Sequence, residues 1–136
     1  MKTTFALLQQ ACGLSNREAA EFLSVPVNTV EGWRMGRRTC PSGAIDELRS
    51  LFSKIENAAN ENIKLTSKLT TEHGVPDEIE LGLASDDYEA QTLGWPCVGA
   101  QEACYGLVIA RLPHKFKIVP RGSNAATAKA ADENDL

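Results

Sequence analysis

Residues 15–41, Ser-Asn-Arg-Glu-Ala-Ala-Glu-Phe-Leu-Ser-Val-Pro-Val-Asn-Thr-Val-Glu-Gly-Trp-Arg-Met-Gly-Arg-Arg-Thr-Cys-Pro, restrict the possible folds of this chain more than any other stretch. They read as a short helix over 16–23, a tight turn and a second helix over 27–35, followed by a basic exit. Ser15 can cap the first helix, and Glu18 three residues later completes a capping box. Ala20 falls where two steeply crossed helices come closest, so a small side chain suits it. Leu23 and Val25 flank the turn and can bury. Ser24 sits in the turn itself, where the backbone tends to be left-handed and glycine is usual. Pro26 suits entry into the second helix, because its fixed φ and missing N–H are tolerated there. Val30 and Trp33 point back into the core, and Phe22 reads as core as well. The opposite face carries Val27, Asn28, Glu31, Gly32 and Arg34.

The flanking sequence supplies a frame for this pair. Phe5, Leu8 and Cys12 recur at helical spacing over residues 4–12, and Gly13 is a natural left-handed stop. Residues 37–41 read as a loop, with Ser42 a candidate cap for a long helix after Pro41. Along that helix Ile45, Leu48, Phe52, Ile55 and Ala59 form a narrow apolar seam of the coiled-coil type. Leu51 gives its first turns a second apolar face. From Ile55 to Leu69 the helix loses apolar residues and gains Asn57, Asn60 and Asn62. That part can project, pair with a second subunit, or stay internal to one monomer. Thr71-Glu72-His73-Gly74-Val75-Pro76 reads as the break.

Beyond it the character changes. Glu78 to Leu83 alternates polar and apolar residues, as a half-buried strand does. Asp86-Asp87-Tyr88-Glu89 looks like the acidic first turn of a short helix. Gly94-Trp95-Pro96 is a turn with a buried aromatic. Residues 99–112 suit a helix through Ala100, Ala103, Cys104, Leu107 and Val108, although Tyr105 to Leu112 alone would also suit a strand. Lys115 to Val119 alternates as a strand. From about Gly122 no large apolar residue occurs before Leu136, so a disordered tail is expected over 122–136. The expected fold is mainly α, with a helical bundle over 1–56, then a connecting helix and a small α+β part over 57–121. That β-α-α-β part can bury little core alone. It would pack on the long helix or pair with its copy as a dimerisation part.

Residues 4–52 resemble the Cro/CI-type (XRE-type) helix-turn-helix domain of phage and bacterial repressors. The matching residues are Gly13-Leu14, Arg17-Glu18-Ala19-Ala20, Asn28-Thr29-Val30, Trp33, Gly36-Arg37-Arg38 and Pro41. The resemblance implies base contacts by Val27, Asn28 and Gly32, a phosphate or base contact by Thr29, and a phosphate contact by Asn16 beside Arg17. Glu31 lies on the same reading face. Asn can pair bidentately with adenine, and Val27 can pack on a thymine methyl. Gly32 has no side chain to reach a base. Arg34, Arg37 and Arg38 are placed as phosphate clamps, which set affinity and register. The element order and Gly94-Trp95 also resemble, more faintly, the anti-CRISPR-associated repressors of phages. These resemblances imply a cytoplasmic, homodimeric repressor on double-stranded DNA, with no cofactor. The alternative is an antitoxin whose C-terminal part binds a toxin.

Charge and cysteine content bear on the competing classes. The formal net charge is −4, which is unexpected for a DNA binder. Residues 1–56 carry seven Lys and Arg against six Asp and Glu, and residues 57–136 carry seven against twelve, so the acidity is C-terminal. Positive charge in the first part concentrates at Arg34, Arg37 and Arg38, which favours a dimer for affinity. Cys12, Cys40, Cys97 and Cys104 form no C-x-x-C, and His73 and His114 lie far from any close pair, so no metal site is expected and both histidines read as surface residues. No signal peptide or membrane-spanning run is read, and the thiols suit a reducing compartment. Asp77, Glu78, Glu80, Asp86, Asp87 and Glu89 are explained by strand alternation and helix N-termini rather than by catalysis. No phosphate loop or nucleophile motif is read, so an enzyme is not expected.

Overall fold

The computed structural model describes residues 2–123 of the chain. Helix α1 (Thr4–Ala11) starts at Thr3, whose Oγ1 accepts from Ala6 N at 3.2 Å. Helix α2 (Asn16–Leu23) carries the expected capping box: Glu18 N donates to Ser15 Oγ at 3.1 Å, and Ser15 N donates to Glu18 Oε1 at 2.9 Å. Helix α3 (Val27–Met35) follows the turn at Ser24, whose φ of 56° and ψ of 47° are left-handed. A non-glycine residue there costs about 1 kcal/mol, the penalty of bringing Cβ against the carbonyl. Helix α4 spans Ser42–His73. Its cap position belongs to Pro41 and has no side-chain hydrogen bond, so Ser42 is the first helical residue and not the cap. Residues 71–73 also remain helical. The helix stops only where Gly74 takes φ 86°.

The second half is the expected β-α-α-β unit: β1 (Ile79–Leu83), α5 (Asp87–Thr92), α6 (Val98–Arg111) and β2 (Phe116–Pro120), with a 3-10 turn over Arg121–Ser123. The ambiguous segment is therefore α6, because Ala100, Cys104 and Val108 at helical spacing bury against α4. The architecture is mainly α with a small α+β part. The tail expected over 122–136 lies, from residue 124 on, outside the described residues.

Strands β1 and β2 pair in parallel, from Ile79 opposite Phe116 to Leu83 opposite Pro120. Ile79 N donates to Lys115 O at 2.8 Å, so the odd residues of β1 face β2 and Gly82 and Ala84 face outward. Buried Gln101 of α6 satisfies that outer edge. Its Oε1 accepts from Ala84 N at 2.8 Å, its Nε2 donates to Gly82 O at 3.4 Å, and Tyr105 OH donates to the same carbonyl at 2.8 Å. One amide side chain thus replaces the peptide group of a missing third strand. The acidic residues act locally. Asp86 Oδ1 accepts from Glu89 N at 2.8 Å, Asp87 Oδ1 from Val98 N at 2.9 Å, and Glu89 Oε1 from Ser85 N at 3.2 Å.

The two halves share one core. Phe5, Leu23, Val30 and Trp33 of the N-terminal helices join Leu48, Leu51, Ile55 and Ala59 of α4 and Cys97, Ala100, Cys104 and Val108 in a continuous buried cluster. Phe5 and Trp33 meet edge to face at 5.3 Å. Trp95 is half-buried rather than buried, with Lys54 Nζ 5.4 Å from its ring centre and bonded to Gly94 O. His114 is half-buried rather than a surface residue. Its ring meets Phe116 at 6.3 Å and its Nε2 lies 3.5 Å from Thr70 Oγ1. No described helix is long and apolar enough to cross a membrane.

The halves are joined at two glycines. Gly13 has φ 74°, and a Cβ there would lie 2.1 Å from Gly99 O; a Cβ on Gly99 would lie 1.9 Å from Gly13 O. Backbone therefore touches backbone where the start of α6 meets the turn after α1. Gly99→Ala is expected to destabilise the protein by about 3 kcal/mol or more, since neither backbone can move without opening the core. Urea unfolding checks this, and an unchanged midpoint would show that the crossing is slack.

Cys12 and Cys97 border this crossing, and burial pushes both thiols from 9.0 up to about 11. Burial disfavours the thiolate, so once pH passes the unfolded chain's pKa, unfolding lets the thiols ionise and is favoured. The folded pKa is the higher, so stability is full below about pH 9 and falls as pH rises through 9 towards 11. Unfolding midpoints measured across that window should fall, and fall less in a Cys12→Ala, Cys97→Ala double variant.

Candidate nucleic-acid interface

The capping and turn geometry above places α3 on the outside of the bundle. Its Val30 and Trp33 are buried, which turns Val27, Asn28 and Glu31 to solvent. Thr3 fixes the helix's far end, because its Oγ1 donates to Trp33 O at 2.9 Å. Around this exposed face lie Arg17, Arg34, Arg37 and Arg38, all exposed.

Two of the arginines are held. Arg34 Nη1 donates to Asn16 Oδ1 at 3.0 Å, across from α3 to the first residue of α2. Arg38 Nη1 donates to Thr29 Oγ1 at 3.2 Å, folding back along α3. Arg17 and Arg37 show no side-chain hydrogen bond or ion pair among the described residues. The surface therefore offers two cations held by side-chain hydrogen bonds and two with none among the described residues, around a polar, partly apolar ridge. Glu31 is the one acidic side chain on that ridge.

Gly32 departs from the sequence-based placement. It is buried, not part of the open face, because Arg38 covers it: a Cβ on Gly32 would lie 3.0 Å from both Arg38 Cγ and Cδ. Its carbonyl accepts from Arg37 N at 2.9 Å and Arg38 N at 3.2 Å. The missing side chain is what lets the exit loop fold Arg38 back to Thr29. Gly32 thus shapes the surface through Arg38 and offers nothing to a base.

The sequence reading missed Gln9. It is 2 % exposed, and its Nε2 donates to Leu14 O at 3.1 Å and to Asn16 Oδ1 at 3.0 Å. Asn16 Oδ1 thus accepts from both Gln9 and Arg34, which fixes the amide so that its NH2 group turns away from both. That presents donors beside the start of α2, where an anion is also favoured by the open helix N–H groups. The only sequence signal was a polar residue on the apolar face that Phe5 and Cys12 define. Lys2 and Met35 were also missed. They border a recess of about 360 Å³ between Asn16, Glu31, Arg34 and Arg37.

Gln9→Glu tests this arrangement. A carboxylate can only accept, so Asn16 must turn its NH2 inward and present oxygen outward. If the surface binds phosphate, affinity for duplex DNA should fall about tenfold, the effect of exchanging one charge-assisted contact for a repulsive one. Gln9→Met, which leaves Arg34 as the remaining donor to Asn16 Oδ1, should lose less.

No protein-family model matches this chain, and no curated protein does.

Proposed function

We propose that this protein is a sequence-specific DNA-binding transcriptional repressor. It acts in the cytoplasm as a homodimer on an inverted-repeat operator, and its own promoter is the first candidate target. One observation carries the reading. A short exposed helix, α3, presents Val27 and Asn28 at its start, with Arg34 tied to Asn16 and Arg38 tied to Thr29 at its flanks. A helix of this kind fits a major groove, where the residues at its N-terminal end meet base edges. Asn28 supplies a donor and an acceptor for adenine, and Val27 an apolar contact for thymine. Arg17, Arg34, Arg37 and Arg38 supply sequence-independent phosphate contacts. Glu31 would accept from a cytosine amine and disfavour other bases at that position.

The modest charge of this part fits binding by two copies, since one monomer brings few phosphate contacts. Repression would follow from covering a promoter. Reading heads in a twofold dimer would address half-sites about 34 Å apart or a multiple of that.

Selection from randomised duplex DNA by the full-length protein tests the reading. An enriched inverted repeat supports it, and no enrichment overturns it. On a selected site, Asn28→Ala should cost about 1–3 kcal/mol and relax specificity at one base pair. Arg37→Ala should weaken binding to all sequences alike and reduce the steepness of the salt dependence. Filter binding or anisotropy at several salt concentrations separates the two.

A further inference from the structure

The C-terminal half of α4 carries a line of residues whose two leucines are left exposed by the other described residues. Ala58, Asn62, Leu65 and Leu69 are spaced four, three and four apart, which puts them on one line along the helix. Leu65 is 58 % exposed and Leu69 47 % exposed. One flank of this line, Ala59, Ile63, Thr66 and Thr70, turns towards α6 and the sheet and is buried or half-buried. The other flank is open and carries Glu61 and Lys68, seven residues apart on the same side. Neither makes a hydrogen bond or ion pair among the described residues. Ala58, Glu61, Asn62, Lys64, Leu65 and Lys68 border an open groove of about 620 Å³.

We infer that a second copy of α4 occupies this groove, running antiparallel about a twofold axis near residues 63 and 64. In that register Ala58 faces the partner's Leu69, so small meets large, and Asn62 faces the partner's Leu65. Glu61 lies beside the partner's Lys68, and Lys68 beside the partner's Glu61. The stripe is therefore complementary to itself in shape and, at Glu61 and Lys68, in charge, with Lys64 one helix position further from the seam. A parallel pair would bring neither charge to its opposite. Asn62 already has its Oδ1 bonded by Thr66 Oγ1 at 3.2 Å, which lowers its cost inside the seam. A single polar residue there sets register at some expense of stability. In this register the end of the partner's α4 at His73 reaches Lys54, and the N-terminal helices lie beyond it.

This pairing gives the homodimer reading above its surface. Its test uses no DNA, so its failure leaves DNA binding untouched. Sedimentation equilibrium of the full-length protein should show a dimer. Leu65→Glu with Leu69→Glu should give a monomer with an unchanged circular dichroism spectrum, since both side chains are exposed. Glu61→Lys and Lys68→Glu should each weaken self-association about tenfold, as two exposed attractions become repulsions. Mixing equal amounts of those two variants should restore wild-type affinity, because each then meets its opposite. A monomeric wild type, a dimer that survives the leucine changes, or a mixture no tighter than the single variants would each overturn the pairing.

Discussion

The contact between Gly13 and Gly99 is the point on which the rest of this structure depends. Two backbones meet there with no room for a Cβ on either. Because they meet, the start of α6 lies against the turn after α1, and Cys97, Ala100 and Cys104 enter the same buried cluster as Phe5 and Leu48. The long helix α4 is then gripped from both sides. Its Leu48, Ile55 and Ala59 serve the N-terminal helices and α6 together. A two-stranded parallel sheet is too small to stand alone. It persists because α6, anchored at Gly99, carries Gln101 and Tyr105 to its open edge.

The same packing sets the surface chemistry. Burying Val30 and Trp33 decides which side of α3 faces out. The short path from Gly36 to Arg38, wrapped on the Gly32 carbonyl, decides where one of the guanidinium groups lies. Gln9 decides the orientation of an amide on α2 from inside the core. Val30, Trp33, Gly32 and Gln9 are all buried, yet each controls where an exposed group lies. The features that suit this surface to an anion thus come from the interior as much as from the exposed residues.

Much of this was legible in the sequence. The bounds of α2 and α3 follow from caps, a turn and apolar spacing, all of which act within a few residues. The capping box at Ser15 and the left-handed turn at Ser24 needed only local chemistry. The two strands and the short helix after residue 77 were readable for the same reason, whereas residues 99–112 stayed open between helix and strand until their burial against α4 decided it. What escaped is non-local. The meeting of Gly13 and Gly99 joins residues far apart in the chain, and a glycine does not announce which backbone approaches it. Gln101 looks like any polar residue on a helix until a strand edge lies beside it. Gly32 was visibly without a side chain, but only the fold shows that Arg38 fills the space. Pro41 took the cap from Ser42, a shift of one residue that propensity does not resolve.

Cys12 and Cys97 have one more consequence. Both are buried beside the joint between the halves, and both remain protonated at neutral pH. A thiol reagent can reach them only when that joint opens, so the rate of their modification is a clock for how often the two halves part. Cys40, on the exit loop and only half-buried, gives the baseline for a thiol that needs no such opening. The chain thus contains its own gauge of local unfolding, free of any added label.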